Sequence, residues 1–514
     1  MSKTIIIIGA GLAGFSAALQ ATENGCNVKL VSSLPSERAQ SVMAEGGINA
    51  ALNTKDENDS PEEHFTDTIK AACGLADPNA VWGMTQAAPE LVHWLLKLGV
   101  KFNMSGYDDV DLRNFGGQKK KRTAFAQSDT GKQIMTAMID AVRRKEASGM
   151  VERFSHHSFL TLRLCGNICC GCVIRDEYSQ ETVELPGDAV IVATGGMHGL
   201  FGNTTGSLSN TGEVTAELFR LGVPLANGEM IQYHPTTVKC GGKRMLISEA
   251  ARGEGGRLFA MKDGKQWYFM EEKYPELGNL MPRDITAREI WKVSHESEVF
   301  LDMTEISEEI ISNKLSGLAD DCMTYLHKDI RKEPVSVLPG IHYFMGGILV
   351  DEQHRTPIQN LCAAGECCAQ YHGANRLGGN SLLGALYGGR VAAKSACEQA
   401  DVVDLSCATQ IDFPPASQIS EIKQLNKVMQ ETMGVVRNEN TLLNGIQTVQ
   451  ALTGNLPLLG MAVLKSALAR KESRGAHWRE DYPKSNDDDY LKTTVARFDG
   501  KQIQISFVPV PERR

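Results

Sequence analysis

The chain has 514 residues, and its 53 Lys and Arg against 62 Asp and Glu give a formal net charge of −9. This length predicts about three domains, and a hydrophobic content of 42% with 22% charged residues excludes a disordered or fibrous chain. The acidic balance argues against nucleic acid as a partner, because phosphate binding needs clustered Lys and Arg. We interpret the short basic run at 119–122 as a solvated loop.

The start of the chain and the cysteines bear on the cellular compartment. Residues 1–4 run directly into a short apolar stretch at 5–8, which is too short for a signal peptide. No other stretch approaches the ~20 apolar residues that span a bilayer. We therefore expect the 13 cysteines to be reduced thiols in a cytoplasmic protein without direct membrane insertion.

The first fifty residues have the pattern of a dinucleotide-binding unit. Four isoleucines at 5–8 predict a strand buried on both faces of a parallel sheet, residues 15–24 predict a helix, and residues 28–31 predict a second strand. A G-x-G-x-x-G motif follows the first strand at once. In it, Gly9 permits the tight turn, Gly11 lets the backbone approach a pyrophosphate, and Gly14 lets helix and strand pack closely.

This unit does not decide which dinucleotide is bound. The acidic residue that usually follows the second strand and holds a ribose hydroxyl is absent, and Ser32 and Ser33 stand in its place.

Longer motifs continue down the chain. They are SVMAEGGINA at 41–50, FGG at 115–117, RT at 122–123, ATGG at 193–196, QYHPT at 232–236, EAARGEGG at 249–256, PRD at 282–284, HYFMGG at 342–347, GE at 365–366, HGANRLGGNSLL at 372–383 and KESRGAH at 471–477. In this order they resemble the fumarate reductase / succinate dehydrogenase flavoprotein family, which also includes L-aspartate oxidase. The resemblance spans nearly the whole chain.

The resemblance implies an α/β fold with a Rossmann-like FAD-binding domain, interrupted by an α+β capping domain and followed by a C-terminal helical domain. We place the FAD-binding domain at 1–235 and 347–410, the cap at 236–346, and the C-terminal domain with its tail at 415–514. Phe413, Pro414 and Pro415 predict a linker. The active site would lie between the FAD-binding domain and the cap.

The cofactor implied by the resemblance is FAD, not NAD. Its ADP part would lie on the three motif glycines, its isoalloxazine near Gly46 and Gly47, and its ribityl or ribose end near Glu366. Ser381 and Leu382 would face the flavin pyrimidine edge. The complete predicted cofactor set is Gly9, Gly11, Gly14, Ser32, Ala44, Gly46, Gly47, Gly195, Glu213, Glu366, Ser381 and Leu382. No metal ligand is predicted.

The chain departs from the family pattern at two positions. Membrane-bound members link FAD covalently through a histidine, and Gln40 stands at that position here. An amide cannot form this link, so we expect non-covalent FAD. In the family, loss of the link favours reduction of fumarate over oxidation of succinate. The second departure is Glu213, where relatives usually have Asp.

The resemblance also implies a binding site for a C4 dicarboxylate. Arg376, His342, His234 and Ser248 match the residues that hold the two carboxylates. Arginine suits this task because its planar fork pairs with carboxylate oxygens. Phe115 matches an aromatic residue that presses the substrate against the flavin.

Three further residues match a proton relay in the family. Arg283 would protonate one alkene carbon after hydride transfer from flavin N5 to the other, and Glu249 and Arg252 would return a proton to Arg283. Glu249 and Arg252 are three residues apart, which predicts that they share a helical turn.

Two other patterns are interpreted as structural. The cysteines at 165–172 lack a ligand spacing typical of metal sites, and their flanks predict two strands of a hairpin. His64, His156, His157, His198, His327 and His354 lie outside the family motifs.

Three alternatives to a fumarate reductase-type enzyme stay open. L-aspartate oxidase has a Glu where Phe115 stands, so this chain lacks its predicted partner for an ammonium group. A succinate dehydrogenase flavoprotein would run the reaction in the opposite direction, and a non-catalytic assembly subunit would not need the intact Arg283, His342 and Arg376. The enzyme would be free-standing or a subunit that receives electrons from an iron–sulfur protein.

Overall fold

The computed structural model describes residues 2–106, 109–399, 413 and 419–514, so Pro414 and Pro415 of the predicted linker lie outside the described residues. The strands are β1 Thr4–Ile8, β2 Asn27–Ser32, β3 Ile48–Asn49, β4 Leu112–Arg113, β5 Thr123–Ala124, β6 Val151–Ser155, β7 His157–Cys165, β8 Ile168–Asp176, β9 Thr182–Pro186, β10 Ala189–Val192, β11 Leu225–Ala226, β12 Ile231–Cys240, β13 Lys243–Leu246, β14 Arg257–Lys262, β15 Lys265–Trp267, β16 Val299–Asp302, β17 Val335–Ser336, β18 Leu338–Phe344, β19 Gly347–Leu349, β20 Leu361–Ala363, β21 Cys368–Ala369, β22 Lys492–Phe498 and β23 Ile503–Pro509.

The α-helices connect these strands in chain order. They are α1 Leu12–Glu23, α2 Pro61–Ala71, α3 Pro78–Leu98, α4 Thr130–Ala147, α5 His198–Phe201, α6 Glu213–Arg220, α7 Glu249–Gly253, α8 Phe269–Lys273, α9 Arg283–Val293, α10 Glu308–Lys314, α11 Ser316–Asp321, α12 Asn380–Gln399, α13 Ile419–Thr432, α14 Glu439–Val449, α15 Asn455–Ala469 and α16 Asp487–Tyr490.

A parallel sheet in the order β20-β10-β1-β2-β6 forms the centre of the FAD-binding domain. The four isoleucines of β1 are buried, as expected of a strand covered on both faces. The predicted strand–helix–strand unit is confirmed. Its helix begins at Leu12, three residues earlier than predicted, with Gly11 as the N-cap.

The turn between β1 and α1 requires glycine at two positions. Gly9 has φ +111° and a Cβ there would overlap the carbonyl oxygen of Ala193, while a Cβ on Gly14 would overlap that of Gly9. Both positions therefore serve the turn and the helix–strand packing that the motif predicts.

The region predicted as the cap is α+β and has its own core. It contains the sheets β13-β12-β18 and β15-β14-β16-β17 and helices α7 to α11. A cluster of buried apolar residues runs from Ile247 to Val337, and Phe115 packs into it. The predicted boundary at residue 235 falls inside β12, which is continuous from Ile231 to Cys240.

The C-terminal region joins helices to a sheet of the FAD-binding domain. Helices α13, α14 and α15 share one buried apolar cluster. The hairpin β22–β23 pairs with β11, which also pairs with β19. The α/β fold with an inserted α+β cap and a largely helical C-terminal region is thus the predicted class.

Two details differ from the sequence-based expectations. The run at 119–122 is not wholly a solvated loop, because Arg122 is fully buried and forms ion pairs with Asp59 and Asp67, at 2.9 Å each. Cys165 is disulfide-bonded rather than reduced, whereas eleven other described cysteines are free.

The cysteine-rich segment forms the predicted hairpin of β7 and β8, in which Cys169, Cys170 and Cys172 are buried strand residues. Among the described residues, no group of three or more His, Cys, Asp and Glu is placed to hold a metal ion. No helix in the described part of the chain is long and apolar enough to cross a membrane.

Candidate active site

A single cavity of about 700 Å³ collects almost all predicted site residues. Gly14 and Arg252 are the two that do not line it: Gly14 packs α1 on β1, and Arg252 lies behind Glu249. The predicted residues that line it are Gly9, Gly11, Ser32, Ala44, Gly46, Gly47, Phe115, Gly195, Glu213, His234, Ser248, Glu249, Arg283, His342, Glu366, Arg376, Ser381 and Leu382, with Gln40 beside them.

One end of the cavity fits the adenosine and pyrophosphate parts of a dinucleotide. The N-terminus of α1 opens on it, so backbone amides and the positive end of the helix dipole face the space. The Ser32 hydroxyl is buried without a hydrogen-bond partner in the protein, which suits a ribose hydroxyl. The residues present at this end therefore fit FAD.

The other end is lined by two consecutive glycines and by the start of a helix. Gly46 and Gly47 form one wall, where a Cβ on Gly46 would lie 2.9 Å from the Phe115 ring and one on Gly47 would overlap the Ala124 carbonyl. Ser381 and Leu382 lie at the start of α12 on the same cavity. Backbone donors on these segments suit the polar edge of a flavin.

Glu366 has a partner that the sequence did not reveal. Its Oε1 accepts a hydrogen bond from Phe344 N at 3.1 Å and lies 3.4 Å from Nε2 of buried His198. The His198 Nδ1 contacts the Thr204 hydroxyl at 3.0 Å. His198 therefore supports a predicted cofactor residue, although it lies outside every family motif.

Gln40, which we predict to stand at the position of the flavin-linking histidine, lines the cavity. Its Oε1 accepts a hydrogen bond from Ser207 N at 2.5 Å, so the amide is held in place by the backbone of another loop.

Glu249 lies between two arginines. The Arg283 guanidinium donates from Nε to Glu249 Oε2 at 2.8 Å and places Nη2 at 2.6 Å from the same oxygen. Arg252 Nη2 lies 3.6 Å from Glu249 Oε1, which also accepts from Gly116 N at 2.9 Å. Glu249 and Arg252 share the turn of α7, as their spacing predicts.

The charge of Glu249 follows from these contacts. Burial by itself would raise the pKa of Glu249, but the charges of Arg283 and Arg252 and the hydrogen bonds from Arg283 and Gly116 N hold its pKa below the usual range. Glu249 is therefore a buried carboxylate that connects two guanidinium groups.

Two histidines face each other at the same place. The rings of His234 and His342 are 5.1 Å apart and roughly perpendicular. Burial, and then Arg283, hold the pKa of both imidazoles well below the usual value, so both rings are neutral at pH 7. His342 Nδ1 contacts the Thr205 hydroxyl at 2.8 Å, and His234 Nε2 is buried without a protein partner.

Arg376 completes the polar wall. Its guanidinium carbon lies 4.4 Å from the centre of the Tyr343 ring, and its Nε is buried without a hydrogen-bond partner. Burial, together with Arg283, lowers the pKa of Arg376 to about 9. A buried guanidinium with an unused donor is suited to a carboxylate ligand.

Gln232 connects the two cavity arginines, a role that its motif at 232–236 does not predict. Its Oε1 accepts from Arg283 Nη1 at 3.1 Å, while its Nε2 donates to the Arg376 carbonyl at 2.8 Å. Its position two residues before His234 on β12 was a usable signal, because such residues share one face of a strand.

Comparison with known proteins agrees with this geometry. Residues 4–382 match the FAD binding domain family, and residues 452–513 match the fumarate reductase flavoprotein C-terminal family. The chain therefore belongs to the succinate dehydrogenase / fumarate reductase flavoprotein family of flavin-dependent oxidoreductases.

Individual relatives cover the whole chain. It is 37% identical to the succinate dehydrogenase flavoprotein subunit of Bacillus subtilis (strain 168), over 100% of this chain and 98% of the relative. It is 32% identical to the 8-methylmenaquinol:fumarate reductase flavoprotein subunit of Wolinella succinogenes, over 100% of this chain and 92% of the relative. A solved structure of quinol fumarate reductase from E. coli aligns with a TM-score of 0.90 at 27% identity, covering 99% of this chain and 97% of that one.

Proposed function

We propose that this chain reduces fumarate to succinate, with non-covalent FAD as its cofactor. The observation that carries the proposal is the chain Arg283–Glu249–Arg252, which meets the cavity beside Arg376 and the histidine pair. Three guanidinium groups against one carboxylate leave an excess of positive charge for a dianion.

Substrate binding follows from the donors without partners. Arg376 Nε and His234 Nε2 are buried and unpaired in the protein. His234 Nε2 is a donor in the tautomer whose Nδ1 accepts from Thr236 N at 3.3 Å, so two carboxylate groups can accept from these two nitrogens. Phe115 lies beside the wall formed by Gly46 and would press the substrate against the cofactor. Bound FAD supplies the hydride.

Protonation of the second alkene carbon falls to Arg283, whose guanidinium lines the cavity. Arginine is a weak acid, and the contact with Glu249 offers a route by which a lost proton is replaced. Glu249 passes a proton to Arg283 and takes one in turn from Arg252, which is reprotonated from bulk water. Arg252 is held for this by donating from Nη1 to the Asn279 carbonyl. Gln232 Oε1 accepts a hydrogen bond from Arg283 Nη1 and so helps to hold Arg283 beside Glu249.

Gln40 supports the direction of the reaction. The named relatives include both succinate dehydrogenase and fumarate reductase subunits, so similarity does not select a direction. A cofactor that is not linked covalently favours fumarate reduction in the family, and Gln40 carries no nucleophile that could form the link.

The proposal is tested by assaying fumarate-dependent oxidation of reduced viologen, with succinate-dependent dye reduction and L-aspartate-dependent peroxide formation measured in parallel. Faster fumarate reduction supports the proposal, and a dominant rate with succinate or L-aspartate contradicts it. Acid precipitation should release all flavin, and flavin retained on the pellet would contradict the role of Gln40.

L-aspartate oxidation is disfavoured by the charges at the cavity. An ammonium group needs a free carboxylate, but Phe115 is apolar and Glu249 is already engaged by Arg283 and Arg252.

We also propose that an iron–sulfur subunit supplies the electrons and holds the chain at a membrane surface. The named relatives are flavoprotein subunits, and this chain spans nearly their full length. Copurification from the native source in a complex that contains iron and acid-labile sulfide supports this, and isolation from that source as a chain without such a partner contradicts it.

A further inference from the structure

We propose that Arg113 is a positioning residue that raises the reduction potential of bound FAD by placing an unpaired positive charge behind the loop of Gly46 and Gly47. The inference rests on the proposed placement of the flavin along that loop and deepens the proposed function. Arg113 lies outside every motif of the sequence.

Arg113 is held almost entirely by backbone carbonyl groups. Its Nε and Nη2 donate to Gly46 O at 3.0 and 2.6 Å, and Nη2 also donates to Glu45 O at 3.2 Å and to Gln127 O at 3.1 Å. The side chain is buried, with its guanidinium carbon 4.2 Å from the centre of the Phe125 ring and 5.7 Å from that of Phe115.

No carboxylate of a described residue forms an ion pair with Arg113, and its Nη1 is buried without a hydrogen-bond partner. Burial lowers the pKa of Arg113 to about 10, so the guanidinium stays charged at pH 7. Burial, and then Asp321, raise the pKa of the nearby Glu45 to about 8, so that carboxyl is mostly neutral there. Glu254 and Asp111 also act on Arg113, but each forms an ion pair with a lysine, Lys314 at 3.1 Å and Lys55 at 2.5 Å. The charge of Arg113 therefore acts on a group bound at the other side of the loop.

The hydrogen bonds add a second effect through the peptide unit. The Gly46 carbonyl and the Gly47 N–H belong to the same amide, and donors on the carbonyl polarise that amide and strengthen its N–H as a donor. Gly47 lines the cavity. Charge and polarisation both favour the state of the cofactor that carries extra negative charge, which is the reduced one.

The test is the midpoint potential of FAD-loaded protein, measured by spectral equilibration with a reference dye in wild type, Arg113→Met and Arg113→Lys. Arg113→Met should weaken binding of reduced relative to oxidised FAD roughly tenfold, the effect of a unit charge at about 12 Å in an effective dielectric constant of ~20. For a two-electron couple this lowers the midpoint potential by about 30 mV. Arg113→Lys keeps the charge and should stay within about threefold of wild type.

Arg257→Met is the matched control. Arg257 also stacks on an aromatic ring, with its guanidinium carbon 3.7 Å from the centre of Tyr268, but it pairs with Glu271 at 2.7 Å in the cap. We expect no change of potential in this variant. An equal shift in Arg257→Met and Arg113→Met would overturn the proposal.

The remaining outcomes are also decisive. An equal fall of the midpoint potential in Arg113→Lys and Arg113→Met shows that Arg113 has a packing role only, and it overturns the electrostatic proposal. If Arg113→Met does not fold, Arg113→Lys alone decides, because a tenfold effect there contradicts a charge-based mechanism. Failure of the proposed function is seen separately, as wild-type protein that holds FAD but does not turn over fumarate.

Discussion

Arg470 of the C-terminal region and Arg376 of the cavity are both buried, but they differ in how their hydrogen-bonding groups are used. Arg470 pairs with Glu229 and Glu472 at 2.7 Å each and also donates to the carbonyls of Tyr490 and Lys492. Arg376 has no ion-pair partner among the described residues and keeps an unused Nε. Arg470, with all its donors satisfied, supports the fold, whereas Arg376, which lines the cavity with a free donor, is suited to bind a ligand.

The largest expected effect comes from Arg283→Ala. Loss of the group that protonates the substrate should reduce kcat for fumarate about 10³- to 10⁴-fold, while bound FAD, read from its visible spectrum, stays at the wild-type level. The assay is oxidation of reduced viologen. Retention of a tenth or more of the rate would assign the proton to another residue. Arg288→Ala, on the same helix α9 and near Asp284, is the control and should keep its activity.

Arg470→Met should give the next largest effect, and on stability rather than chemistry. It leaves Glu229 and Glu472 buried with fewer positive partners, which should lower the free energy of unfolding by about 3–5 kcal/mol. The measurement is the midpoint of urea unfolding. If folded variant protein lost its affinity for fumarate, the C-terminal network would have a catalytic rather than a supporting role.

Arg376→Gln should weaken substrate binding and raise stability, the opposite of what we expect for Arg470→Met. KM for fumarate should rise about a hundredfold, because charge-assisted hydrogen bonds to a carboxylate are lost. The melting temperature without substrate should rise, because a buried and unmatched cation is removed. If Arg376→Gln lowered the melting temperature as much as Arg470→Met does, Arg376 and Arg470 would not differ in their roles.

The smallest effect concerns a carboxyl group and depends on pH. Burial, followed by the charges of Asp321 and Asp129, raises the pKa of Glu45 to about 8, and the charge of Arg113 acts in the opposite direction. Between pH 4.5 and 8 the unfolded chain releases this proton and the folded protein keeps it, so this group makes stability fall as pH rises. Glu45→Gln should therefore gain stability over wild type, by about 1–2 kcal/mol, on going from pH 5 to pH 8. The same difference between the urea midpoints of Glu45→Gln and wild type at pH 5 and at pH 8 would contradict this prediction.

Much of the cavity could be predicted because its residues sit in contiguous motifs. The strand–glycine–helix unit follows from local periodicity and from the space that Gly9 and Gly14 leave free. His234 and Arg283 were assigned through family resemblance, and the structure places them at one cavity.

The contacts of Arg113, His198 and Arg122 could not be predicted, because their partners are distant in sequence and no local pattern encodes them. Arg113 reaches Gly46 across 67 positions of sequence, and His198 meets Glu366 from a short helix outside the motifs. Arg122 was misplaced on the surface because its neighbours are lysines, while its partners Asp59 and Asp67 are distant in sequence. The domain boundaries stay predictions.

The short strand β11 has a consequence for how the protein is made. Leu225 pairs with Ile348 on one side and with Ala496 on the other, so this sheet joins residues separated by more than half the chain. During synthesis, the edge of β11 stays open until β22 leaves the ribosome. Pairing over such long sequence separations is slow, and open strand edges invite misassembly. We therefore expect nascent chains that stop before β22 to need a chaperone to stay unaggregated.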